Sequence, residues 1–146
     1  SGSEALRAES LMRAFLGAML RRHGERPQPD AVHAHAAGAA ALSRVRDYIR
    51  TYYAHDMTVS DLAAVAGLSR AHLTRAFSAA YHMPPHVYLN AVRITQAQTL
   101  IRRGMPLTAV ALECGFADQS HFTRRFKGGV GVTPAAWRSM HFASRP

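Results

Sequence analysis

His72-Leu73-Thr74-Arg75-Ala76-Phe77 returns further along the chain as His121-Phe122-Thr123-Arg124-Arg125-Phe126. The match continues on both sides. Downstream, Pro85 followed by Tyr88 corresponds to Pro134 followed by Trp137 at the same offset. Upstream, Ala63…Gly67-Leu68 corresponds to Ala111…Gly115-Phe116, with a one-residue slip in the turn. Each copy reads as a short helix ending in a glycine turn, followed by a second, capped helix. The glycine suits a left-handed or close-approach position. Small residues (Ala63 and Ala66 in one copy, Ala111 and Cys114 in the other) allow two helices to cross closely. That is how a helix-turn-helix reads in sequence, and here it reads so twice.

In the second helix of each copy the faces separate. Leu73 and Phe77, or Phe122 and Phe126, point to a core. The opposite face carries Arg70, Ala71, Thr74, Arg75 and Ser78 in the first copy. In the second it carries Gln119, Ser120, Thr123, Arg124 and Lys127. Both sets are polar or small and neither contains an acid. They suit a helix lying in the major groove of duplex DNA, where Arg can grip guanine O6 and N7 and Gln can grip adenine N6 and N7. One polar helix face alone is most simply a solvated surface. Two faces with the same Thr-Arg pair, in a basic chain, favour nucleic acid. Arg75 and Arg124 could reach a base edge or clamp a phosphate, and the sequence leaves both open.

Working outward, helix signals fill Leu42 to Phe142 with no alternating strand pattern. Leu42, Val45 and Ile49 space a first helix. Thr58 is an N-cap candidate for a helix ending at Gly67, and Ser69 caps the next. Pro84 and Pro85 sit where prolines are tolerated at a helix start. The long helix that follows runs through Tyr88, Leu89, Ile94, Ala97, Leu100 and Ile101 to Arg102, Arg103 and Gly104. It would set the separation and phase of the two polar faces. A short helix spans Pro106 to Cys114, another begins near Asp118, and Thr133-Pro134 open a last one holding Trp137. The expected fold is all-α: two helix-turn-helix units joined by a long linker helix over residues 42–142. Before it, residues 25–41 contain Pro27, Pro29 and Gly38 and show no period, which predicts a linker. Residues 4–24 carry a separate amphipathic helix whose stripe of Met12, Phe15, Leu16 and Met19 must be buried on another copy or another domain. Ser1-Gly2-Ser3 reads as a cloning scar, which suggests that a longer natural protein continues upstream.

The chain has 146 residues, 18 Lys and Arg against nine Asp and Glu, and a formal charge of +9. This excess favours a polyanionic partner. From Met57 onward the acids are Asp61, Glu113 and Asp118, against ten cations, so most of the excess, 10 − 3 = +7, lies in the repeat-bearing region. The single cysteine, Cys114, allows no disulfide framework and fits a reducing cytoplasm. At a close helix crossing it reads as a buried, inert thiol. Enzyme chemistry finds no footing. His33-x-His35 lies in an Ala/Gly stretch without a third ligand, so no metal site is expected, and neither a nucleophile elbow nor a phosphate-cradling glycine loop is present. No cofactor is implied. No stretch is long and apolar enough for a membrane span. A basic membrane-surface helix would need a free apolar face, which the polar-faced helices use for the core. A helical interaction module would account for the first helix and linker but not for the duplicated basic units.

The run Ala109-Val110-Ala111-Leu112-Glu113-Cys114-Gly115-Phe116-Ala117-Asp118-Gln119-Ser120-His121-Phe122-Thr123-Arg124-Arg125-Phe126-Lys127, followed by Gly131-Val132-Thr133-Pro134, resembles the C-terminal domain of AraC/XylS-type transcription regulators. The resemblance covers about Leu42 to Arg138. It implies a seven-helix bundle with two helix-turn-helix subdomains, binding double-stranded DNA as a cytoplasmic transcription regulator in the bacterial nucleoid, whether activator or repressor. Ala71, Thr74 and Arg75 then occupy the first reading positions, and Gln119, Ser120, Thr123 and Arg124 the second. Arg70 and Lys127 join them on the DNA face, with Ser69, Arg93 and Arg125 as candidate phosphate contacts. It further implies contact with RNA polymerase, and an upstream domain that binds any small-molecule inducer. Dimerisation would run through that domain or the Glu4–His23 helix. The chain departs from the family pattern at Gly128-Gly129, which predicts early fraying of the second reading helix. It departs again at His82, where glycine often ends the first, and at Pro84, in place of a small capping residue.

Overall fold

The computed structural model describes residues 29–143, and among them there are seven helices and no strand. The helices are α1 (Pro29–Tyr52), α2 (Val59–Ala66), α3 (Arg70–Tyr81), α4 (Pro85–Arg102), α5 (Leu107–Glu113), α6 (Gln119–Val130) and α7 (Pro134–Ala143). The expected amphipathic helix at Glu4–His23 lies outside the described residues.

The first helix corrects the sequence reading. It starts at Pro29 rather than near Leu42, so residues 29–41, expected to be a linker, are helical. Pro29 is tolerated at the first helical position. Seven alanines from Ala31 to Ala41 supply the strongest helix propensity, against roughly 1 kcal/mol lost at Gly38. Residues 37–40 are exposed, whereas Ala41 and Leu42 are buried. A helix that packs on nothing along one stretch has no apolar period to betray it there.

The caps form where the side chains predict them. Thr58 accepts from the Asp61 backbone N–H while the Asp61 carboxylate accepts from the Thr58 N–H, a reciprocal pair that closes the start of α2. Ser69 Oγ accepts from His72 N–H at 3.1 Å, Asp118 Oδ1 from His121 N–H at 2.7 Å and Thr133 Oγ1 from Ala136 N–H at 3.2 Å. Each such cap stabilises by about 1 kcal/mol. Both acids on α2 and at the start of α6 are thus used as helix-end acceptors, away from the polar faces of α3 and α6.

Two cores are built. The first gathers Val45, Ile49, Leu62, Leu73, Phe77 and Tyr88; the second gathers Ile94, Ile101, Val110, Phe122 and Phe126. Helix α4 belongs to both. At about 100° per residue, its buried Pro85, Tyr88 and Leu89 lie on nearly the opposite face from its buried Ile94, Ala97 and Ile101. The two halves therefore sit on opposite sides of one helix. The sequence repeat is a structural repeat down to ring geometry. Phe77 meets Tyr88 edge-on at 5.6 Å and 73°, and Phe126 meets Trp137 edge-on at 5.9 Å and 69°. Leu68 N–H donates to Ala63 O, and Phe116 N–H to Ala111 O, at 3.0 Å in each copy.

Cys114 is fully buried, and its thiol is raised to about 11, first by desolvation and next by the Glu113 charge, against a lowering from Arg93. The folded chain therefore holds this proton more tightly than the unfolded chain. The associated stability is present below the unfolded value near 9 and is lost as pH climbs towards 11. A thiol that is neither exposed nor ionised near pH 7 is inert. A disulfide reagent added to the native chain at pH 7–8 is expected to label Cys114 only as fast as the domain opens, and at once in denaturant. Immediate native-state labelling would contradict this burial.

Candidate nucleic-acid interface

Helices α3 and α6 are held in the same frame. Leu73 and Phe77 anchor α3, Phe122 and Phe126 anchor α6, and all four are fully buried. With the anchors inward, Arg70, Ala71 and Arg75 are exposed and Thr74 and Ser78 half-buried on α3. On α6, Gln119, Ser120, Arg124 and Lys127 are exposed and Thr123 is half-buried. Gln119, Ser120, Thr123 and Arg124 together line a shallow, open concavity. Among the described residues, none of Arg70, Arg75, Arg124 and Lys127 is held in an ion pair; the ion pair found lies elsewhere, between Arg46 and Asp47. Four cations facing water without an internal partner are available to an external anion.

The turns before these helices explain their placement. Gly67 and Gly115 both adopt the left-handed conformation, at φ of 67° and 86°. At the far ends, His82 (φ 62°) and Gly131 (φ 96°) take the same left-handed position, each donating its N–H at 2.8 Å, to Ser78 O and Lys127 O respectively. His82 is the one non-glycine residue with positive φ among those described.

Helix α6 does not fray at Gly128-Gly129, against expectation, but runs on to Val130. A Cβ at Gly129 would lie 2.8 Å from Ile94 Cδ1. The end of the Ile94 side chain on α4 packs against this glycine, a tertiary contact that helix propensity cannot reveal.

The candidate phosphate contacts divide. Ser69 is exposed, and its Oγ caps α3 while keeping its own proton to donate. Arg125 is exposed, with Nε donating to His121 Nε2 at 3.3 Å one turn back. Arg93 differs from these two in its internal partners. Its Nε donates to Tyr53 O at 2.7 Å, its NH2 donates to His55 O at 3.0 Å, and its guanidinium sits 5.9 Å from the Phe116 ring centroid. Burial lowers its pKa, with Asp56 opposing, and two of its nitrogens are engaged by backbone carbonyls within the fold. A signal was present: on α4, Arg93 lies midway around the helix between the two apolar faces, where a side chain can meet both halves. Arg102 is likewise engaged, 5.2 Å from the centroid of Trp137.

Comparisons with known proteins agree with this geometry. The helix-turn-helix domain family matches residues 62–140, more than half of the chain. The DNA-binding domain of AdpA, a global transcriptional factor solved in complex with a target DNA, is 30% identical, with a TM-score of 0.69 over 72% of this chain and 96% of that one. A probable AraC family transcriptional regulator from Rhodopseudomonas palustris CGA009 is 28% identical, with a TM-score of 0.63 over 73% and 99% of the two chains. In Bacillus subtilis (strain 168), the uncharacterized HTH-type transcriptional regulator YbfI is 32% identical over 81% of this chain but 42% of its own length. The chain thus spans less than half of that regulator. It belongs to the AraC-type family of helix-turn-helix DNA-binding domains, which serve transcription regulators.

Proposed function

We propose that the chain binds duplex DNA as one bivalent unit, with α3 and α6 entering successive major-groove segments on one DNA face. The observation that carries this reading is the duplicated, acid-free and exposed face, presented twice by the same buried anchors and the same turn. Arg75 and Arg124 are assigned to base edges and Gln119 to an adenine. Ala71, Ser120, Thr74 and Thr123 shape the contact. Arg70, Lys127, Ser69 and Arg125 neutralise or bond phosphates, which fix register without carrying sequence information. Grooves on one DNA face recur about every 34 Å, so either the helix separation matches that repeat or the DNA bends. The chain acts by binding, in the cytoplasm and nucleoid. In the longer regulator, RNA polymerase contact, self-association and any inducer site complete the activator.

The test is selection of a site from random duplexes, followed by titration of that site against salt. One sequence should be preferred over random competitor. The log–log plot of affinity against salt should slope down by about 0.9 for each phosphate neutralised. Affinity independent of salt, or equal for all sequences, would overturn the proposal.

A further inference from the structure

Between the two halves, the loop after α1 meets the turn before α6. Tyr53 O accepts from Arg93 at 2.7 Å and lies 2.7 Å from where a Cβ on Gly115 would stand. His55 O accepts from the second nitrogen of the same guanidinium. On its other side that guanidinium approaches the Phe116 ring, which is buried in the second core. Tyr53 packs against the first core. One side chain on the shared helix therefore touches backbone of the first unit and an aromatic ring of the second.

We infer that Arg93 is a positioning residue that locks the two helix-turn-helix units in one relative orientation, and so sets the half-site spacing the chain accepts on DNA. This rests on the bivalent reading above. Apart from this contact and the approach of Tyr53 and Ala54 to Gly115, each half is carried on its own face of α4 and connected to it by a short turn, an arrangement that permits rocking. Rocking would break both Arg93 hydrogen bonds together and separate Phe116 from the guanidinium. A planar guanidinium holds two acceptors at a fixed angle, whereas an ammonium is a point donor on a flexible stem, so lysine should restore the lock only in part. With the lock in place, the protein cannot follow a change in spacing. One inserted base pair shifts the second half-site by roughly 3.4 Å and rotates it by about a tenth of a turn, and the DNA must deform to compensate.

Two measurements decide it. First, the chain and its Arg93→Ala and Arg93→Lys variants are titrated with the selected site and with versions carrying one base pair more or fewer between half-sites. The unaltered chain should lose at least about tenfold for either change, a price of DNA deformation. Arg93→Ala should bind the selected site more weakly yet lose under about threefold on respacing, with Arg93→Lys between them. Second, nitroxides on Ala79→Cys and Ala135→Cys, both exposed, report the distance between the halves in the free chain, while buried Cys114 stays unlabelled. That distance should be narrowly distributed with Arg93 and broad with Ala. Should Arg93→Ala not fold, Arg93→Lys carries both measurements. Equal spacing penalties and equal distributions in all folded variants would overturn the lock and leave bivalent binding standing. An unaltered chain indifferent to spacing would overturn both.

Discussion

Gly115→Ala is expected to destabilise the domain by about 3 kcal/mol, from two separate penalties. The first is backbone conformation: at φ 86° an L-residue suffers the left-handed clash, roughly 1–2 kcal/mol. The second is space. The new Cβ would stand 2.7 Å from Tyr53 O and 3.0 Å from Ala54 C and Cα. These are backbone atoms, so no rotamer change clears them, and forcing a methyl into such a place costs typically 1–3 kcal/mol. The stiffer unfolded chain returns only about 0.4–1 kcal/mol in the other sense. Gly67 is the internal control. It occupies the equivalent turn of the first unit at φ 67°, but a Cβ there would meet nothing within 4 Å. Gly67→Ala should therefore lose only the conformational part, about 1 kcal/mol. Urea unfolding of the two variants makes the comparison. Equal losses would mean that the approach of Tyr53 to the second turn carries no weight. Against a typical domain stability of about 5–15 kcal/mol, the larger loss should show as a shifted midpoint.

These two glycines also mark the limit of what the sequence made legible. The repeat, the caps and the apolar spacing are local signals, and they placed α2 to α7 and both exposed faces. Ser69, Asp118 and Thr58 act on an N–H three residues away, which can be read along a line. What depended on distant partners was not legible. Gly129 reads as a helix breaker until Ile94 is seen against it. Arg93 reads as one more cation until the carbonyls of Tyr53 and His55 are seen around it. The early start of α1 is hidden for the converse reason: its exposed turn at residues 37–40 carries no apolar pattern. The candidate site was more legible than the frame holding it, because exposed residues on a helix are arranged by the helix period alone.

Removing Arg75 and Arg124 together is expected to weaken binding to the selected site by about 2–6 kcal/mol, the sum of two losses of roughly 1–3 kcal/mol each if both pair with guanine. The two residues occupy equivalent places one turn into α3 and α6, on the exposed side opposite Phe77 and Phe126. Their helices are anchored in different cores and they share no partner among the described residues, so their effects should add. Each single alanine variant should relax preference at one or two base pairs, and at different places: Arg75→Ala in one half-site, Arg124→Ala in the other. Arg103 provides the contrast. It is exposed at the end of α4, outside both reading helices, so Arg103→Ala should weaken all sequences alike or do nothing. Arg102 is unsuited to that comparison, because its place over Trp137 means that its loss also disturbs packing. Affinities on the selected site and on every single-base change, measured at several salt concentrations, separate base reading from phosphate clamping. If Arg124→Ala lowers every affinity by one factor and reduces the salt slope by about one, Arg124 is a clamp. If Arg75→Ala does the same, the base-reading assignment fails for both helices, and specificity must come from Gln119, the threonines or the deformability of the DNA itself.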